Sequence, residues 1–174
     1  MADFEIAVAI VLEHEGAFAN NKNDNGGPTN WGISTPVYSA FLGRPATLAD
    51  VQAMPIEVAR KIYKRNYWNV TKAEAILSQD VANLFMDMSV LRGVVAASKS
   101  MQTALGLKSD GIIGNVSLAA INAQSPAALM LDFQRECVLA FCRIAKANPT
   151  QLEFLSNWCG RVLGFNPIIK SMIA

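Results

Sequence analysis

The chain holds 174 residues, and fifteen Lys plus Arg against fourteen Asp plus Glu leave a formal net charge of +1. Hydrophobic residues make up 52% and charged residues 17%, a balance that excludes a disordered tail and supplies a buried core. The even charge leaves no basic footprint for nucleic acid, and the single histidine, His14, excludes metal motifs that need two.

The first predicted element is a helix. Phe4, Ala7, Val8, Val11 and Leu12 recur at helical spacing, Asp3 can cap the start and Gly16 can stop it. Its apolar run, Ile6–Leu12, is far short of the ~20 residues that span a bilayer, so no stable membrane insertion is expected. Neither a basic region nor a small-residue cleavage site accompanies it, so synthesis in the cytoplasm without a signal peptide is expected. The polar, glycine-rich run from Asn20 to Ile33 reads as a short hairpin. Asn25-Gly26 gives a type I′ turn signal, with Thr29 and Trp31 beyond it.

Thr35-Pro36 starts the next helix, with proline at its first position. Thr47-Leu48-Ala49-Asp50 resembles a capping arrangement, and Pro55 opens a helix bearing Val58, Ala59, Ile62 and Tyr63. From Gln79 to Leu91, apolar residues fall at Val81, Leu84, Phe85, Met88 and Leu91, and Gly93 ends the run. A helix over Val95–Leu105 stops at Gly106, and the turn Lys108–Gly114 leads to a short helix around Leu118–Ile121. Ser125-Pro126 starts the longest helix, with Leu129, Phe133, Cys137, Ala140, Phe141 and Ile144 inward, and Asn148-Pro149 breaks it. A last amphipathic helix holds Leu152, Leu155, Trp158 and Val162.

The expected architecture is therefore mainly α, a helical bundle with one small β-hairpin. A boundary near Gly93 separates residues 1–93 from 94–174, with no linker between them, so one globule is expected. Cys137, Cys142 and Cys159 are odd in number and lack a C-x-x-C pair. They read as three buried thiols of a chain folded in a reducing compartment.

The densest polar cluster is residues 14–34. Glu15 ends an apolar helix, where the backbone dipole is unfavourable to a carboxylate. Burial against Leu12 and Phe18 would raise its pKa, and a carboxyl kept protonated near neutral pH is what a general acid needs. The competing reading is an exposed Glu13/Glu15 pair at a frayed helix end. Asp24 in the following turn and Thr29 in the hairpin can frame a sugar cleft opposite that acid, because glycoside hydrolysis generally uses two flanking carboxylates. Taken singly, Asp24 also suits an Asx-turn and Thr29 a strand.

The run E-G-x-x-x-N-x-x-x-D-x-G-G-x-T-N-x-G-I, Glu15 to Ile33, closely resembles the glycoside hydrolase family 108 muramidases, lysozyme-like enzymes of phage endolysins and prophage-like loci. Lys61–Trp68 (KIYKRNYW) resembles the family's helix ending in Tyr-Trp. Asp110–Ile121 (DGIIGNVSLAAI) and LEFLSNWCGRV near the end resemble its peptidoglycan-binding-like segment. Ala17, Phe18, Asn115 and Ser117 depart from the usual residues, as does Leu91-Arg92-Gly93 after Asp87.

The resemblance implies a lysozyme-like α+β fold. It also implies cleavage of the β-1,4 bond between N-acetylmuramic acid and N-acetylglucosamine, with Glu15 as the catalytic glutamate. Asp24 and Thr29 fall on the positions that place or activate water. Asn30, Trp31, Tyr67 and Trp68 are candidate substrate-binding residues, with core packing as the competing reading for Tyr67 and Trp68. His14 is a candidate for tuning Glu15 through its charge.

The expected partner is peptidoglycan glycan strands, and no metal or organic cofactor is needed. A holin-like partner would release the protein to the wall, either for phage lysis or for opening the wall during protein or toxin secretion. The alternatives are a non-catalytic peptidoglycan-binding module and a lytic transglycosylase.

Overall fold

The computed structural model describes residues 1–19 and 28–165. Helix α1 (Phe4–Glu15) starts where the Asp3 carboxylate accepts from the Glu5 amide, and it ends where the Gly16 amide returns to the Leu12 carbonyl. Its buried face is Phe4, Ala7, Val8 and Val11, and Glu15, four residues on, continues that face. Strands β1 (Thr29–Asn30) and β2 (Ile33–Ser34) pair antiparallel, Thr29 with Ser34 and Asn30 with Ile33. Ala19 bridges to the other side of Thr29.

Helices α2 (Thr35–Leu42), α3 (Leu48–Gln52) and α4 (Ile56–Tyr63) follow. Lys64–Trp68 then forms a π-turn and Ala73–Ala75 a short 3₁₀ turn. The second half is α5 (Gln79–Arg92), α6 (Val94–Ala104), α7 (Asn115–Ala123) and α8 (Pro126–Ala147), then a 3₁₀ turn at Pro149–Gln151 and α9 (Leu152–Leu163). The mainly α, lysozyme-like reading agrees with this order.

Helix α5 is the axis of the molecule. Every residue from Val81 to Ser89 is buried, because α1, α6 and α8 all pack on it. Phe85 of α5 meets Phe133 of α8 edge-on at 5.8 Å between centroids. The starts of α1 and α5 are tied together: the Asp3 amide donates to Gln79 Oε1 at 2.6 Å, and Gln79 Nε2 donates to the Asp3 carbonyl at 3.0 Å. No described helix is long and apolar enough to cross a membrane.

Three expectations need correction or relocation. The turn expected at Asn25-Gly26 lies outside the described residues. The turn between β1 and β2 is Trp31-Gly32, with φ of 52° and 73°, the paired positive angles of a type I′ hairpin. Of the three cysteines only Cys137 is buried, while Cys142 is exposed and Cys159 half-buried. In α8 the inward stripe ends on Ala145 rather than on Ile144, which is exposed.

Candidate active site

Glu15 is the last residue of α1, and helical spacing from Val11 turns it toward the body of the molecule. Its side chain is 21% exposed. The hairpin turn packs directly on it. A Cβ added to Gly32 would stand 2.7 Å from both Cβ and Cγ of Glu15 and 2.5 Å from Tyr63 Oη. Only a residue without a side chain, and with φ of 73°, fits between the glutamate and that tyrosine.

Trp31 beside it is a non-glycine residue in the left-handed region, a conformation that needs external restraint. Two hydrogen bonds supply the restraint. Its indole Nε1 donates to the Met54 carbonyl at 3.1 Å, and its own carbonyl accepts from Tyr63 Oη at 2.8 Å. Tyr63 is thus both the anchor of the turn and a wall beside Glu15. Burial, then the negative charge of Glu15, push its hydroxyl well above the usual tyrosine range. Tyr67, with its ring 5.7 Å from that of Tyr63, is raised for the same two reasons.

A side chain from the far end of the sequence completes the cluster. Arg161 on α9 pairs its Nη2 with Glu15 Oε1 at 2.8 Å. The same guanidinium grips Asp87 of α5 with two bonds, Nε to Oδ2 at 2.8 Å and Nη2 to Oδ1 at 2.8 Å. Asp87 is 0% exposed and also meets His14 Nδ1 at 2.9 Å. Burial works against the charge of Arg161, but the hydrogen bonds and charge of Asp87, joined by those of Glu15, outweigh it and raise its pKa.

The surroundings of Glu15 therefore differ from the apolar ones expected: the carboxylate faces an arginine. His14 points its ring nitrogen at Asp87, so any effect on Glu15 passes through that network. Sequence reading missed Arg161 and the partnership of Asp87. The available signal was an aspartate inside the apolar stripe of α5, between Leu84 and Met88, which demands a buried cation.

The candidate residues divide clearly. Glu15, Trp31 and Tyr67 gather around Tyr63 and Gly32. Thr29 is held in place by backbone bonds to Ala19 in both directions, each 2.9 Å. Asp24 lies outside the described residues. Asn30 is 5% exposed, and its amide donates to the Val51 and Gln52 carbonyls, so it fastens the hairpin to α3 and is not available to a sugar. Trp68, 1% exposed, is a core residue set edge-on to Phe4 at 5.7 Å, which corrects its assignment to the substrate. The π-turn explains why: the Asn69 amide reaches back five residues to the Lys64 carbonyl, so the next core residue after Tyr63 comes five positions on, at Trp68, and leaves Tyr67 half-exposed.

Comparison with known proteins places part of the chain in a family. Residues 8–93 match the family model described as glycosyl hydrolase 108, a segment that contains Glu15, the hairpin, Tyr63, Tyr67 and Asp87 but not Arg161. The chain is similar to the solved structure of Brucella abortus SagA, 28% identical over 94% of this chain and 95% of that one, with a TM-score of 0.73. No curated protein matches. Residues 8–93 belong to the glycosyl hydrolase 108 family, and at that level the protein is a peptidoglycan hydrolase.

Proposed function

We propose that this protein is an N-acetylmuramidase that hydrolyses the β-1,4 bond between N-acetylmuramic acid and N-acetylglucosamine. The observation that carries the reading is the position of Glu15: at the end of a helix, pressed against the hairpin turn and held by an arginine. In this reading Glu15 is the general acid: its carboxyl proton passes to the bridging oxygen as the bond to the anomeric carbon breaks, and the electron pair leaves with the oxygen. Asp24 stabilises the positive charge left on the sugar or activates the attacking water, and Thr29 holds that water. A carboxylate separation of ~5–5.5 Å gives retention and ~6.5–9.5 Å inversion. Trp31 and Tyr67, both half-exposed beside Glu15, supply the faces on which sugar rings stack.

The substrate is the glycan strand of peptidoglycan, reached in the periplasm or outside the membrane. A holin-like partner provides release from the cytoplasm, for phage lysis or for opening the wall during secretion.

The test is digestion of purified peptidoglycan by the wild type and Glu15→Gln. The wild type releases new reducing ends and the folded variant none. Full activity in the variant refutes the assignment. Wild-type protein that sediments with walls without clearing their turbidity is a binding module. Anhydro ends in the mass spectrum of the released muropeptides identify a lytic transglycosylase instead.

A further inference from the structure

We propose that Arg161 is a positioning residue of the catalytic centre, brought to Glu15 by α9 and braced by Asp87, so that the site is completed from outside the segment that carries the family pattern. The inference rests on Glu15 being the catalytic acid.

Three observations converge. First, the arginine is shared: one guanidinium nitrogen lies 2.8 Å from Glu15 Oε1 and 2.8 Å from Asp87 Oδ1, and Nε takes the other Asp87 oxygen. Two parallel bonds to Asp87 fix the plane of the guanidinium, and its position then fixes one oxygen of Glu15. Second, Asp87 is fully buried and has no role on the surface. A buried carboxylate is costly unless paired, and among the described residues Arg161 and His14 Nδ1 are its partners. Third, Glu15 is the last residue of α1, and the chain leaves the helix at the following residue, Gly16, with φ of 70°. The steric wall of Gly32 and Tyr63 limits the glutamate on one side, and the arginine sets it from the other. Lysine cannot replace this geometry fully, since a single ammonium has no planar fork to hold both carboxylates in register.

The experiment compares kcat and KM on purified peptidoglycan for the wild type, Arg161→Met, Arg161→Lys and Glu15→Gln. Circular dichroism and thermal melting report folding, and co-sedimentation reports wall binding. In Arg161→Met, kcat should fall by roughly 10- to 100-fold with KM and wall binding within about twofold, the pattern of a misplaced catalytic group. Arg161→Lys should regain part of kcat. Where the methionine variant does not fold, the lysine variant decides: folded, with unchanged KM and reduced kcat, it supports the inference.

Wild-type kcat in either folded Arg161 variant overturns it, as does a loss carried by KM alone. The two levels separate cleanly. An inactive Glu15→Gln beside fully active Arg161 variants removes only the arginine's role, whereas an active Glu15→Gln removes the acid assignment itself.

Discussion

Gly32 shows how much one missing side chain can determine. A methyl group there would have to displace Tyr63 Oη or the stem of Glu15, on a backbone already in the left-handed region. Gly32→Ala should destabilise the fold by about 1–2 kcal/mol from backbone strain alone, read from the urea midpoint. It should also lower hydrolysis by more than the loss of folded protein accounts for, because the displaced atom is the glutamate. The cysteines differ at the same scale. Burial pushes the Cys137 thiol up to about 11, with nearby Arg92 acting in the opposite direction, while Cys142 stands in solvent. Since the thiolate is the nucleophile, iodoacetamide at pH 8 should alkylate Cys142 in the native protein and Cys137 only after unfolding, a difference that peptide mass mapping resolves.

Among the elements, α3 gives the clearest pH dependence. Asp50 receives two bonds from Arg44 at 2.9 Å each and, at 2.8 Å each, one from the Thr47 amide and one from the Thr47 hydroxyl, whose oxygen accepts from the Asp50 amide at 3.1 Å to close a capping box. The Arg44 bonds, followed by those of Thr47, hold its carboxyl far below the usual range. A folded pKa below the unfolded ~3.9 means that this contribution is fully present above that value and fades as pH falls through the folded pKa. Asp50→Asn should therefore lower Tm at pH 7, and the gap from wild type should narrow by pH 3.

Trp68 gives a second test at this scale. Trp68→Ala should cost ~3–5 kcal/mol of stability, as a large core deletion does, and leave KM on peptidoglycan unchanged in the protein that remains folded. A raised KM would return the indole to the substrate. The long apolar periods of α1, α5 and α8 could be read from spacing because their core faces are local patterns. The π-turn could not, since an extra residue in the turn is fixed by how Trp68 seats against Phe4. Asn25-Gly26 carries the type I′ signal in the sequence, whereas Trp31-Gly32 does not announce itself, since tryptophan seldom takes a positive φ. Bonds to Met54 and Tyr63, distant in sequence, hold Trp31 there.

At the scale of the whole molecule, the two sequence halves share one core. Phe85 and Phe133 meet across them, and Gln134 Nε2 donates to the Val162 carbonyl within the second half at 2.9 Å, holding α9 in place. Phe133→Ala should cost ~3–5 kcal/mol. It should shift the urea transition seen by tryptophan fluorescence and the exposure of Cys137 by the same amount, in one cooperative step. Two separated transitions would show that the halves fold independently. Glu15 was legible because its neighbours in sequence carry the motif. Arg161 was not, because its bond to Asp87 joins residues 74 apart and many basic residues could have served an unpaired aspartate.

The seating of α5 bears on anyone who would graft this hydrolase onto a targeting unit. The glycine after Arg92 looks like a natural splice point, and the family pattern ends there. Yet a graft cut at that glycine would leave the Phe85 ring wet, strand buried Asp87 without its arginine and free Glu15 to swing. The transplantable unit runs at least to the end of α9, and a donor segment chosen by the family boundary alone would arrive with its key part unfastened.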